Sequence, residues 1–332
     1  MPYQNGSADG PNDFLQKIVA WLSSLGWTVN SSVQNGTGWR AHLAKNGMFV
    51  NLCTTIGNVN PWVHSLNPVM PTTAAAVHLY CGDGYNASAI WNAQPGGPIG
   101  NGQTYTIGNS ARLRQGADIS YGFYSDNEDN VCIVLEGLPD IISSIGWGRL
   151  SKVGSYNGGE YFFGPLTGYV VGTTGTNTAG ITMHAYCPAA FGGGTSSASN
   201  GARPAAFVRA DVDSFTGKWL AVGTETSAQY STGKNALSSV VGGNDTATSI
   251  ASYIGLQLRT VTQATMAVTL LPVMLWAARD NGGSSPIGTV PGIYANNAAS
   301  DTQAGPVTPG TVIKYGADDY VLYPNFAVKR VP

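Results

Sequence analysis

Charge is what this sequence has least of. Asp, Glu, Lys and Arg together make up 10% of its 332 residues, against roughly a quarter in ordinary soluble domains. A surface so thinly charged must be covered by hydroxyl and amide side chains, or be buried against neighbouring subunits, whose interface cores are depleted in charge. The many Ser, Thr, Asn and Ala residues and the 44 glycines suit both, and we read a mixture weighted towards assembly. The charge present is balanced, with 16 Lys and Arg against 18 Asp and Glu for a formal value of -2. That excludes the broad basic surface needed for nonspecific nucleic-acid binding, so no nucleic-acid partner is expected.

Long hydrophobic runs are missing as well. The opening MPYQNGSADGPNDF has no basic region followed by an apolar one, and the most apolar window, MAVTLLPVMLWAA, is too short to cross a bilayer as a helix. The expectation is a soluble protein made in the cytosol, with no signal peptide and no membrane insertion. Cysteine is scarce: Cys53, Cys81, Cys132 and Cys187 stand far apart, each in or beside an apolar stretch, without the close pairs of zinc or redox motifs. They read as buried free thiols rather than disulfides.

What is there is strand. One amphipathic helix is expected in NDFLQKIVAWLSSLGW, capped by Asn12 or Asp13, with Phe14, Ile18, Trp21 and Leu22 on one stripe and Gly26 as the stop. From there to about residue 190, β-rich runs such as GWRAHLA, GMFVNLC, AAVHLYC, NVCIVLEG and GEYFFG alternate with Gly, Asn, Asp and Pro clusters. The fold class is therefore mainly β: an antiparallel sandwich or barrel built from hairpins, with a short N-terminal helix. Residues 1–190 form the first part, 191–203 (FGGGTSSASNGAR) a flexible loop or linker, and 204–332 a second β-rich part that packs separately or into the same domain. SIASYIGLQLRTVTQATMAVTLLPVMLWAAR reads as strand or irregular because of its threonines and Pro272. The end, TVIKYGADDYVLYPNFAVKRVP, reads as a hairpin turning at Gly316 to Asp319, with Val321 to Val328 returning as one strand bent at Pro324.

Motifs that carry chemistry are scarce. STGKN around Lys234 lacks the upstream glycine and the following hydroxyl of a phosphate loop, and no GxSxG elbow is present. His42, His78 and His184 lie in alternating apolar strands, as packed rings do, and with His64 they show no HExxH or HxH spacing. No catalytic residue and no cofactor is assigned. The cluster Asp126, Glu128 and Asp129 in YSDNEDNV reads as a hairpin tip, with weak Ca²⁺ binding as the alternative. Asp83, Glu136, Glu160 and the pair Asp211 and Asp213 are the other carboxylates; Asp211 and Asp213 would share a strand face with Arg209, which is their simplest partner. Trp39, Trp62, Trp91, Trp147 and Trp219 sit among Gly, Asn, Gln and Asp, a mixture that grips sugars when the rings are exposed and builds cores when they are not. Trp62, Trp91, Trp147 and Asp83 are the candidate glycan or interface contacts.

The stretch SIGWGRLSKVGSYNGGEYFFG, residues 144–164, has the glycines and basic pair of a nucleotide loop, but Trp147 stands where a backbone would have to approach closely. It reads as a corner: Gly146 and Gly148 relieving a strand start, Asn157 to Gly159 turning, and EYFFG returning. Leu150, Val153, Tyr156, Tyr161 and Phe163 would pack, while Arg149, Lys152 and Glu160 would pair across strands or at an interface.

The order of features, a short helix followed by GWTVN, GWRAHLAKNGMFVNL, HLYCGDGYNASAIWNAQPGGP, GFYSDNEDNVCIVLEG, WGRLSKVGSYNGGEYFFG and finally YVLYPNFAVKR, resembles virion proteins of tailed bacteriophages, of the tail, baseplate and fibre region. The resemblance covers most of the first 165 residues and the last 20. It implies a structural component of the particle in several symmetric copies, contacting other virion proteins, with a host surface glycan as a further partner. It transfers no catalytic residue. The rival readings are a glycan-binding adhesin, a capsid decoration protein and a polysaccharide depolymerase with two carboxylates roughly 5 to 9.5 Å apart in a groove.

Overall fold

The structure, a computed structural model, describes residues 3–56, 75–98, 108–113, 118–126, 129–138, 141–164, 206–211, 219–222, 237–239, 270–278, 284–296, 309–323 and 326–330. The linker at 191–203, Trp62, His64, Glu128, His184, Cys187 and Asp213 lie outside them. The chain enters through β1 (Tyr3–Ala8) and α1 (Pro11–Ser24), then forms β2 (Thr28–Asn35), β3 (Gly38–Lys45), β4 (Met48–Ile56), β5 (Ala75–Gly82) and β6 (Asn109–Leu113). There follow β7 (Ile119–Ser125), β8 (Val131–Leu138), β9 (Ile141–Arg149), β10 (Ser151–Lys152), β11 (Gly158–Phe163), β12 (Ala206–Ala210), β13 (Trp219–Val222) and β14 (Leu237–Ser239). β15 (Leu270–Ala278), β16 (Ser284–Asn296), β17 (Thr311–Tyr315), β18 (Asp318–Tyr323) and β19 (Phe326–Arg330) complete it.

The protein is mainly β and sandwich-like, and its sheets do not close into a barrel. A 5-stranded meander runs β2-β3-β4-β5-β6, and a 14-stranded sheet runs β1-β7-β8-β9-β11-β12-β13-β14-β15-β16-β19-β18-β17, with β10 on β16. Pairing is antiparallel except between β13 and β14. The larger sheet passes from β11 to β12, with Phe162 opposite Phe207 and a register shift between Gly158 and Tyr161, and so joins the two parts of the sequence.

Helix α1 lies between the sheets. Its stripe Phe14, Leu15, Ile18, Trp21 and Leu22 is buried, with Trp21 and Phe14 against Phe123 of β7 at ring distances of 5.2 and 6.1 Å. The helix starts one residue before the expected caps. Pro11 takes the first turn, where its missing N–H costs nothing, and Gly10 stands at the cap without a side-chain bond. Asp13 accepts instead from the backbone N–H of Asp9 at 2.9 Å and pairs with Lys17 at 2.7 Å. Gly26 ends the helix as expected: its own N–H bonds the Ser23 carbonyl and that of Trp27 bonds Leu22, in a Schellman arrangement.

Around β8, β9, β11 and β12 the 14-stranded sheet is covered on both faces. Val131, Ile133, Leu135, Trp147, Phe162 and Phe207 join α1 and the 5-stranded sheet in one core. Cys132, Val134, Tyr161, Phe163 and Val208, their alternates, meet β15, β16, β18 and β19 in a second. VCIVL in β8 therefore reads as a continuous apolar run because it has no water-facing side. Cys53, Cys81 and Cys132 are buried free thiols.

Two local readings change. In residues 144–164 the hairpin exists, with Glu160 opposite Arg149 and Phe163 opposite Gly146, but the connection is a wider excursion in which β10 pairs with β16. Gly146 and Gly148 lie inside β9, not at its start. A Cβ on Gly146 would stand 2.4 Å from Phe163 Cζ, and one on Gly148 2.0 Å from Asn130 Oδ1. Both glycines are flat spots under buried neighbours. Val153, expected to pack, is 45% exposed. At the end of the chain, Val321 to Val328 is not one bent strand: β18 and β19 pair with each other, Val321 opposite Val328, beside the expected β17–β18 hairpin.

Candidate functional site

The polar residues singled out in the sequence gather at one end of the sandwich, where they fasten its layers. Asn46 and Gly47, with φ of 50° and 79°, make the two-residue turn between β3 and β4. The Asn46 amide donates to Asp129 Oδ1 at 2.8 Å, and its carbonyl accepts from the Arg149 guanidinium. Arg149 also lies 3.3 Å from Asp129 and 3.7 Å from Glu160, so one cation holds the hairpin tip of the small sheet to the large one. Behind it, Asn130 Oδ1 accepts from the Arg149 backbone N–H at 2.8 Å and from the Tyr161 hydroxyl at 2.9 Å. Asn130 donates in turn to both carboxylate oxygens of Asp126.

Of the three residues named for the Ca²⁺ alternative, Asp126 and Asp129 are engaged by protein groups, and Glu128 lies outside the described residues. A guanidinium occupies the space before Asp129, and the oxygens of Asp126 are turned to Asn130, where a divalent cation would demand converging free oxygens. Among the described residues, no group of three or more His, Cys, Asp or Glu is placed to hold a metal ion. Replacing Arg149 with Met should cost about 1–2 kcal/mol, since the pair is only part-buried but leaves Asp129 without its cation. Urea unfolding measures this, and faster amide exchange at Asn46 and Gly47 would locate the loss at the clasp.

A second tie joins Asp83, after β5, to Arg209 of β12, 126 residues away. Arg209 therefore has a partner outside its own strand, in Asp83. Burial pushes the Asp83 carboxyl above its usual range, and Arg209 pulls it back in part. The loop between Asp83 and Gly97 is tied within itself, Gln94 Nε2 donating to the carbonyls of Asn86 and Ala89 at 3.1 and 3.2 Å, and to β13, whose Trp219 Nε1 donates to the carbonyl of Gly96 at 2.7 Å.

The described tryptophan candidates are not sugar platforms. Trp91 is 4% exposed, edge-on to Tyr80, and Trp147 is fully buried, edge-on to Trp27. The two described histidines, His42 and His78, are packed too. His42 Nδ1 meets Asn51 Oδ1 at 2.6 Å and His78 Nε2 meets Thr55 Oγ1 at 2.8 Å.

Two surface features remain. A cleft of about 410 Å³ opens between the ends of β7 and β8 and the strands β16 and β19, with Ser125, Asp126, Thr289, Tyr294 and Lys329 among its walls. Asp126 is the one carboxylate among the described residues lining it, and Lys329 is held by Asp318 at 2.7 Å. The other feature is β17, the last strand of the 14-stranded sheet, which among the described residues pairs on one side only. It carries Val312 at 47% and Tyr315 at 71% exposure. The strand is five residues long with one charge, Lys314, and just before it Gly310, with φ of 86°, donates its N–H to the carbonyl of Leu322, the residue opposite Thr311. No protein-family model and no curated protein matches this sequence.

Proposed function

We propose that this chain is a structural component of a tailed-bacteriophage virion, of its tail or baseplate, acting through protein-protein contacts in a symmetric oligomer. The observation that carries the reading is β17: a strand that among the described residues is paired on one side only and bears two large exposed apolar side chains, a form of surface that invites another strand. The sparse charge and the resemblance to tail and baseplate proteins support it. The polar residues of the clasp hold layers together, work suited to a subunit that bears load.

Mass spectrometry of purified particles tests the proposal. The chain should appear in several copies per particle, and a particle reconstruction should place it in the tail apparatus. Absence from particles overturns it. The adhesin alternative loses its two described aromatic platforms, Trp91 and Trp147, to the core. The depolymerase alternative needs a facing carboxylate that the described walls of the cleft do not supply.

A further inference from the structure

We infer that β17 pairs with β17 of a second copy, antiparallel about a two-fold axis at Ile313, so that the 14-stranded sheet continues across the dimer. The inference rests on the assembly part of the function proposed above and names its partner and register. Its basis is the hydrogen-bond phase of the hairpin. Tyr315 and Asp318 flank the two-residue turn Gly316–Ala317. In such a hairpin the flanking residues form the hydrogen-bonded pair, and bonded pairs then alternate along the ladder. Ile313 and Tyr315 thus direct their backbone groups inward to β18, as Gly310 does its N–H to Leu322, while Val312 and Lys314 direct theirs out to the side on which no other described strand pairs.

An axis at Ile313 sets Val312 opposite Lys314 of the partner strand, and Lys314 opposite Val312. Each outward N–H then meets a carbonyl, about four backbone bonds in all. The side chains agree with this register. Tyr315 falls opposite Thr311 of the second copy, an aromatic and β-branched pair, and the two Ile313 side chains meet on the axis. Ile313 already borders the cluster of Tyr320, Leu322 and Ala327, so the contact extends an existing apolar patch. The aliphatic stem of Lys314 covers Val312 on the other face, and no like charges stand directly opposite. Both exposed apolar residues are therefore covered by the same few residues of an identical chain, the self-complementarity a two-fold contact requires. The other end of the sheet is a poorer partner: Gln4, Asn5, Gly6 and Ser7 of β1 are exposed, polar or without a side chain, and offer Val312 and Tyr315 nothing apolar.

Five paired residues bury far less than the roughly 1,200–2,000 Å² of a stable complex, so the contact is weak alone and is multiplied by symmetry in an assembly. Sedimentation equilibrium should show monomer and dimer with a Kd of about 100 µM. Val312→Pro removes only an outward donor, a place where an edge strand tolerates proline, and should weaken dimerisation at least about tenfold. The double variant Thr311→Cys/Tyr315→Cys, at two exposed positions, should form intermolecular disulfides on mild oxidation, with the thiol at position 311 linked to the thiol at position 315 of the second copy. A monomeric wild type together with an uncross-linked double variant overturns the proposal. So does a Val312→Pro variant that dimerises like the wild type, or cross-linking that captures a cysteine placed at Asn5 in β1 instead. A chain found in particles without the 311–315 link would keep the virion reading and discard this edge; a linked dimer absent from particles would do the reverse.

Discussion

Acidification from pH 7 to about 4 should remove about 3 kcal/mol of folding stability through His78 alone. The ring lies in the middle of β5 with 1% exposure, bonded to Thr55 and beside Trp91. Burial disfavours the imidazolium and pulls its pKa down to about 3. In the unfolded chain the ring takes up its proton near 6.5. Between those values the unfolded state binds a proton that the folded state refuses. The stability is therefore fully present above the unfolded value and lost as pH falls towards about 3. His42, whose pKa is also lowered chiefly by burial, acts in the same direction. Asp83, pushed up by burial, acts in the opposite one, because its protonation is easier in the folded state. Urea midpoints of the wild type and of His78→Leu, compared at the two pH values, isolate the His78 contribution, since every other titrating group is common to both. His78→Leu should sit lower at pH 7, where it leaves Thr55 without its partner, yet lose about 3 kcal/mol less on acidification. An equal acid loss in both proteins would refute the assignment.

The second large effect is expected at Gly148. An added methyl would stand 2.0 Å from Asn130 Oδ1 and 2.8 Å from Asn130 Cα, so Asn130 must move. That oxygen serves the Arg149 backbone and the fully buried Tyr161 hydroxyl, and the same residue holds Asp126. Gly148→Ala should cost about 3–5 kcal/mol, combining overpacking with a polar network left unmade. A double-mutant cycle distinguishes these effects from a general intolerance of β9. With Asn130→Ala in place the obstacle is gone, and the further cost of Gly148→Ala should fall to about 1 kcal/mol or less. Full additivity of the two substitutions would show that Asn130 is not what the glycine accommodates.

The clasp explains why local reading found the right residues but not their work. Asp126, Asp129, Arg149, Glu160 and Asp83 all stood out in the sequence as charge in a chain that has little. Their partners did not: Arg149 lies 103 residues from Asn46, and Arg209 lies 126 from Asp83. Nothing in the sequence near Asn46 says that its turn will meet the loop after β7. Side-chain geometry of this kind is decided by which strands end together, a property of the packed layers and not of any single segment. The tryptophans teach the same lesson. Neighbouring Gly, Asn and Gln made Trp91 resemble a sugar platform, and only the packing of its loop over Tyr80 turns the ring inward.

By itself the sequence determined the things that depend on near neighbours. The α1 stripe and its glycine stop, the strand-rich class, the three buried thiols Cys53, Cys81 and Cys132 and the β17–β18 turn all follow from periodicities of 3.6 and 2 and from the φ preferences of glycine. What only the tertiary structure decided was where strands go after they form. The same alternation pattern serves an outer strand or an inner one, so the doubly covered β8 and the pairing of β18 with β19 were not legible in advance. Nor was the side of β17 on which no other described strand pairs, because an edge is defined by which strands end up beside it. Its exposed Val312 and Tyr315 were ordinary strand residues in the sequence, and became a surface only when thirteen other strands were arranged without covering them.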